Sequence, residues 1–426
     1  MSQTFRKIRR VRGELALPGD KSISHRAAIF AAMAKGTSKL RHLSDGEDVR
    51  STIRCLEALG AEFAYDAEEI VVNGAGIRGF RKANAPLDAG NSGTTARLLS
   101  GLLVAQPFST TIVGDESLSR RPMGRVVDPL EKTGATFKTA EGGRLPMTIA
   151  PPERLEPIDY RTPVASAQVK SAALIAGLHV DAETKVIEKK ATRNHTETML
   201  GLETRHDGDE TIAFSSSAYY PDPKEYYAPA DLSTAAFFLG LAAITPDADL
   251  LLRGVSCNVS RTAFLDAIQE MGADVRRENL RVAAGEPYAD FVVKSGALRN
   301  VEIPDEATAN LIDEIPILSV VGAFAENEFV VRGVEELRVK ESDRIAAMCE
   351  NFRRLGYEVE EYPDGFLVAG EPTTPSATLD SFGDHRVAMA FAILLSRLDG
   401  DAKIDNFDCV KISNPNFLRQ LTTISE

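Results

Sequence analysis

The chain has 426 residues, 43% hydrophobic and 26% charged, too long for one ordinary core, so two globular domains are the default. Its 62 acidic residues outnumber 49 basic ones, Trp is absent and aromatics are 7%, which excludes a broad basic face for nucleic acid and stacking platforms for unpaired bases. No uncharged apolar run reaches the roughly 18 residues of a membrane span.

In chain order, Met1 to Arg12 is basic but has no apolar run behind it, so no secretory signal is expected. Phe5, Ile8, Val11, Leu15 and Leu17 read as two short strands entering the fold. Gly19-Asp20-Lys21-Ser22 is a glycine turn feeding a helix near Ser22. It lacks the G-x-x-x-x-G-K-[ST] spacing of a nucleotide loop. Leu59-Gly60-Ala61 ends a helix and starts a strand, and Gly134, Gly272 and Gly356 repeat that joint, with a weaker copy at Gly201. Their separations, roughly 70 to 85 residues, fit a helix-and-strand subdomain used several times. Between the joints lie small-residue helices at Ser166 to Gly177, Asp231 to Ile244, Asn310 to Phe324 and His385 to Leu395, expected to be buried. Tyr219 to Pro229, rich in Tyr and Pro, reads as a connection between halves. Cys55, Cys257, Cys349 and Cys409 form no CxxC and are expected to be reduced cytosolic thiols.

Basic and small polar residues gather at several helix starts, and in an acidic chain that pattern points to a small anionic substrate. Lys21, Ser22 and Arg26 lie within about one turn at a helix N-terminus, where a phosphate or carboxylate is favoured. Gly90-Asn91-Ser92-Gly93-Thr94-Thr95 offers backbone amides with little bulk, although a plain N-cap by Asn91 or Ser92 explains it too. Arg120, Arg121 and Arg125 share one loop, which an ordinary solvated loop also does. In Thr192-Arg193-Asn194-His195-Thr196-Glu197, Thr196 and Glu197 fit a helix cap. Lys340-Glu341-Ser342-Asp343-Arg344 reads as a helix start, with Lys340 and Arg344 one turn apart and an exposed salt-bridged helix as the alternative. Asp384-His385-Arg386 is another helix start, and no metal spacing accompanies it.

Taken together and in this order, the stretches Gly19 to Arg26, Asp88 to Arg97, Ser166 to Ser171, Leu337 to Arg344 and Asp384 to Arg386 closely resemble the 5-enolpyruvylshikimate-3-phosphate synthases, or 3-phosphoshikimate 1-carboxyvinyltransferases, essentially end to end. The resemblance implies an α/β, two-domain enolpyruvyl transferase fold. Each domain would hold three βαβαββ-type repeats about a pseudo-threefold axis, with the small-residue helices buried. One domain would span 20–230 and the other 1–19 with 231–426, the active site lying in the cleft between them. It implies transfer of the enolpyruvyl group from phosphoenolpyruvate to the 5-hydroxyl of shikimate 3-phosphate by a cytoplasmic monomer, with no metal or organic cofactor and no nucleic-acid or membrane partner.

Carried over by motif, Lys21, Ser22, Arg26, Ser166, Ala167, Gln168, Arg193, Asp313 and Lys340 would hold shikimate 3-phosphate. Lys21, Asn91, Gly93, Arg121, Gln168, Arg344, Arg386 and Lys411 would surround phosphoenolpyruvate. Asp313, Glu341, Lys21 and His385 form the implied catalytic set, with Asp313 taking the hydroxyl proton and Glu341 exchanging one with the methylene carbon. Ala167 stands where many members have serine, Arg193 where others use tyrosine or serine, and Ser92 and Leu98 depart from the plant and enterobacterial pattern. Gly93 implies competition by glyphosate with phosphoenolpyruvate. The closest enzyme alternative, a UDP-N-acetylglucosamine enolpyruvyl transferase, usually carries a loop cysteine, and Glu116 to Pro122 has none. A non-catalytic anion-binding scaffold is the alternative of another class; Asp313, Glu341 and His385 beside the cations weigh against it.

Overall fold

Alternating burial defines the strands: in Arg144–Ala150, Leu145, Met147 and Ile149 face inward while their neighbours are more exposed. The computed structural model describes residues 1–66, 69–77 and 79–425. The chain forms two compact units, one of Met1–Pro18, Ala230–Arg281 and Pro287–Glu426, the other of Gly19–Pro229 and Val282–Glu286. The break points fall at 18/19 and 229/230, and the short segment 282–286, not anticipated from sequence, joins the second unit.

The 19–229 unit holds three four-stranded sheets of one topology among the described residues. In each, one strand pair is parallel and the other two are antiparallel, as in Leu87–Asp88, Thr110–Val113, Arg144–Ala150 and Thr136–Ala140. The sheet of Lys35–Arg41 obtains its parallel strand from Glu225–Tyr227, paired Glu225 to Lys39. Tyr219 to Pro229 is therefore more than a connection: its middle completes a sheet, and Tyr226 is fully buried. The other unit also has three sheets, and Arg12–Ala16 lies parallel to Asp249–Ser256 with Leu15 opposite Leu252.

Each unit encloses helices that have no polar face. Lys21–Met33, Gly93–Leu103 and Ala167–Gly177 in one, and Leu232–Ile244, Ile315–Gly322 and His385–Leu395 in the other, are buried over most or all of their length. Helices such as Glu47–Ala58 and Arg344–Leu355 keep a charged face outward. All five joint glycines, 60, 134, 201, 272 and 356, adopt positive φ, as a left-handed helix end requires. One expected helix is divided: 310–324 is occupied by the end of Asp305–Leu311 and by Ile315–Gly322, with a turn between. Pro316, at the start of the second helix, has no amide hydrogen and disfavours helix before it. Among the described residues no helix is long and apolar enough to cross a membrane, and no disulfide joins any of the four cysteines.

Close packing of the inner helices depends on glycine at one crossing. A Cβ on Gly101 would lie 2.1 Å from the Ala172 carbonyl oxygen of the neighbouring helix. Gly101→Ala should destabilise this protein by about 1–3 kcal/mol through overpacking. At Gly124 a Cβ meets nothing within 4 Å, and that helix-start glycine should accept alanine without loss. Urea denaturation of both variants checks the contrast, and equal midpoints would refute it.

Two histidines of the same unit, His25 and His179, are kept neutral by their surroundings. Burial lowers the pKa of His25 to about 3 and that of His179 to about 4, so both fold as neutral rings. The unfolded chain binds protons at these rings below its ordinary pKa of about 6.5, and the folded state does not. Their contribution to stability is present above that pH and falls on acidification. The slope for each approaches about 1.4 kcal/mol per pH unit. The urea midpoint of the parent should therefore drop between pH 6 and 5, and His25→Gln should flatten the drop.

Candidate active site

In the 19–229 unit, three inner helices bring their N-termini together through side-chain hydrogen bonds. Asp20 caps Lys21–Met33 by accepting from the Ile23 amide at 2.9 Å. This cap starts the helix at Lys21, one residue earlier than the sequence suggested. Arg26, one turn in, donates from Nη2 to Ser171 Oγ at 2.6 Å and from Nε to Thr196 Oγ1 at 2.8 Å. Ser171 lies in the Ala167–Gly177 helix, which Ser166 caps through the Val169 amide. Gln168 in that helix donates to Thr94 Oγ1 at 2.9 Å and accepts from Arg97 Nη1 at 2.8 Å, and so reaches the Gly93–Leu103 helix. The His25 ring contacts Thr52 Oγ1 at 2.7 Å, and Thr52 contacts Thr95 at 2.6 Å, which closes the circuit.

Charge is concentrated at this convergence. The Lys21 ammonium lies 3.0 Å from Asp48. Burial lowers the pKa of Arg26 to about 10; Glu197, Asp20 and Glu286 oppose that fall and Arg193 adds to it. Arg193 therefore lies within electrostatic reach of Arg26. Ser92, not Asn91, caps the helix beginning at Gly93. Asn91 instead donates to Asp115 at 2.7 Å and accepts from Arg121 Nη2 at 3.1 Å. Arg120, by contrast, is exposed and pairs with Glu116.

Thr196 and Glu197 do not act as caps. Glu197 is buried and lies 2.8 Å from the Lys170 ammonium, which also meets Glu188 at 2.6 Å. Burial opposes the Lys170 charge, yet Glu197 and Glu188 outweigh it and raise that pKa.

The other unit gathers carboxylates and guanidinium groups. The helix expected at Lys340 begins at Arg344, because Asp343 caps it by accepting from the Ala346 amide at 3.0 Å. Lys340 stands before it, at the end of a 3₁₀ turn. Lys340 and Arg344 are therefore not helical neighbours; both reach Asp313, at 3.7 and 3.3 Å. The break between the two helices places Asp313 in the intervening turn. Arg386 adds a third cation, donating to the Asp313 carbonyl at 2.9 Å. Arg344 is 1% exposed and also bonds Glu341 and Asp384. Burial disfavours its charge, but Asp384, Glu341 and Asp313 more than compensate and raise its pKa. Asp384 is held ionised, its pKa lowered by Arg344 against the burial penalty.

Of the residues singled out by sequence, this unit brings together Asp313, Lys340, Glu341, Arg344 and Arg386, with buried His385 opening the last inner helix. Lys411 is turned to another partner: its side chain is 65% exposed and its ammonium pairs with Asp408 at 2.6 Å. Sequence reasoning missed Asp48, Arg97, Glu314 and the buried Lys170. Asp48 carries no local motif, Arg97 and Lys170 lay in recognised segments without being chosen, and Glu314 stood beside Asp313.

A sequence model of EPSP synthase (3-phosphoshikimate 1-carboxyvinyltransferase) matches residues 5–421. The chain is 42% identical over 429 residues to the 3-phosphoshikimate 1-carboxyvinyltransferase of Salinibacter ruber, covering 100% of both. It is 44% identical over 421 residues to that of Solibacter usitatus, covering 98% of each. The solved EPSP synthase of Acinetobacter baumannii matches with a TM-score of 0.88 and 36% identity, over 100% of this chain and 98% of that one. The enolpyruvyl transferase NikO of Streptomyces tendae, at 17% identity and a TM-score of 0.76 over 99% and 96% of the two chains, shares the fold. The chain belongs to the EPSP synthase family.

Proposed function

We propose that this chain transfers the enolpyruvyl group of phosphoenolpyruvate to the 5-hydroxyl of shikimate 3-phosphate and releases phosphate, a step toward chorismate. The observation that carries the reading, beside family membership, is that two carboxylates, Asp313 and Glu341, share the Arg344 guanidinium. That chemistry needs one group to take a proton from an alcohol and another to exchange one with carbon. A protein that merely holds anions needs neither carboxylate.

In this reading Asp313 accepts the 5-hydroxyl proton as the oxygen attacks the central carbon of phosphoenolpyruvate. Glu341 protonates the methylene carbon, and a tetrahedral adduct forms. Glu341 then takes a proton back from that carbon as the C–O bond to phosphate breaks, and the proton on Asp313 leaves with phosphate. Substrate anions that engage Lys340, Arg344 and Arg386 compete with Asp313 for them and release its carboxylate to act as a base. Lys21, Ser22, Arg26, Ser166, Gln168 and Arg193, with the backbone at Ala167, hold shikimate 3-phosphate. Lys21 also serves phosphoenolpyruvate, with Asn91, Gly93, Arg121, Gln168, Arg344 and Arg386. Lys411 joins them only if it leaves Asp408, and His385 positions the Glu341 side. Cations suit substrates that carry phosphate and carboxylate, and arginine suits the planar carboxylate. We place the protein in the cytoplasm as a monomer, a location that suits four cysteines none of which is joined in a disulfide; sedimentation tests the oligomeric state.

Phosphate release should require phosphoenolpyruvate plus shikimate 3-phosphate. Release with UDP-N-acetylglucosamine instead would overturn the assignment. Asp313→Ala and Glu341→Ala should each lower kcat by about 10²–10⁴-fold. For Glu341→Ala, calorimetry should find shikimate 3-phosphate affinity changed far less than the rate.

Glyphosate should compete with phosphoenolpyruvate. A Cβ at Gly93 would lie 2.5 Å from Arg97 Nη1, the mobile end of a long side chain, so Gly93→Ala should fold but displace Arg97 from Gln168. The glyphosate inhibition constant should rise about 5- to 150-fold, more than the KM for phosphoenolpyruvate. Equal inhibition of parent and variant would remove Gly93 as the gate.

A further inference from the structure

Glu286 lies far along the chain from the anion-binding helix starts, yet it belongs to the 19–229 unit. The chain enters that unit at Val282, contributes five residues and leaves after Glu286. Glu286 is completely buried, and its Oε1 lies 2.8 Å from Nδ1 of the equally buried His195. A carboxylate only accepts hydrogen bonds, so Nδ1 of His195 carries the proton.

His195, Thr196 and Glu197 are consecutive, buried and committed to three different partners. His195 bonds Glu286, Thr196 bonds Arg26 and Ser171, and Glu197 pairs with Lys170. Asn194 stands at the N-cap of this short helix, directly before these three. The first turn is thus fixed largely by what its side chains grip, and it directly follows Arg193. Removing one member lets that turn shift, and Arg26 and Arg193 shift with it. A buried carboxylate stripped of its hydrogen-bond partner is costly, so the Glu286–His195 bond constrains both residues.

The backbone beside Glu286 is equally constrained. Gly285 has φ +86°, and a Cβ there would lie 2.3 Å from the Thr198 carbonyl oxygen. Only glycine lets the 282–286 segment come this close to the helix that carries His195.

We infer that Glu286 is a positioning residue for shikimate 3-phosphate: through His195 it holds the Arg193–Glu197 turn so that Arg26 and Arg193 keep their geometry. Glu286 touches no substrate in this account. The inference rests on the activity proposed above.

The test is steady-state kinetics of the full chain with both substrates, for Glu286→Ala, Glu286→Gln and Gly285→Ala. Glu286→Ala should raise the KM for shikimate 3-phosphate about 10-fold, the effect of losing one buried hydrogen bond. The KM for phosphoenolpyruvate, taken at saturating co-substrate, and kcat should each stay within about 3-fold of the parent. Glu286→Gln keeps an acceptor for Nδ1–H and should recover most of the loss, which general destabilisation would not explain. Gly285→Ala removes no polar group but pushes the segment away, and should give the same selective rise; it serves if Glu286→Ala does not fold. An unchanged KM for shikimate 3-phosphate, an equal rise for both substrates, or Gln no better than Ala would overturn the inference. If the parent itself releases no phosphate, the activity reading fails first and the inference falls with it. Normal parent turnover with unaffected variants would sink the inference alone.

Discussion

Burying three helices side by side forces their ends to be dealt with, and the rest of this structure depends on how that is done. Each helix begins with amide hydrogens that have no partner within it, and with the positive end of its dipole. Where several such ends meet inside protein, the region must be filled with acceptors or anions. In the 19–229 unit the acceptors are mostly neutral, namely Ser92, Ser166 and the hydroxyls of Thr52, Thr95, Ser171 and Thr196, with Asp20 and Asp48 beside Lys21. In the proposed function the positive potential there is met by the anionic groups of the substrates.

The other unit meets the same constraint differently. Asp231 and Asp384 cap two inner helices, and Glu314 stands at the start of the third. Those carboxylates are buried and would repel one another, and Arg261, Arg344 and Arg386 run between them. The lattice of opposite charges has little tolerance for removal of a member, because an orphaned buried charge costs more than the pair contributed. Asp313 and Glu341, the two carboxylates proposed to move protons, share these guanidinium groups, through Arg344 and Arg386.

The legible part of the sequence was the part written in local rules. Glycine joints, small-residue helices and helix starts bearing Lys21, Arg26 and Arg344 depend on neighbours a few residues away, and the structure has them. What was misjudged depends on partners far off. Thr196 and Glu197 resemble a cap locally, but become core residues because Arg26 and Lys170 lie against them. The strand at Glu225–Tyr227 looked like a connection because a three-residue strand has too few residues to show alternation. Lys340 fell outside its expected helix because Asp343, a stronger cap, starts the helix after it. Glu286 lies in an ordinary hairpin sequence, and nothing around it signals its partner 91 residues away.

The opening strands carry a consequence for how the protein is made. Arg12–Ala16 waits for Asp249–Ser256, and Gln3–Phe5 for Ala402–Asp405. At about 5–20 residues per second of synthesis, the first strand stays unpaired for roughly 12–50 s and the second for roughly 20–80 s. During that time the Gly19–Pro229 stretch is complete enough to collapse, while the strands of residues 1–18 remain loose edges. Arg6, Lys7, Arg9 and Arg10 lie between the two waiting strands. Clustered positive charge discourages pairing with other chains, so these four residues act as a guard on an edge that cannot close until Ala402–Asp405 has been made.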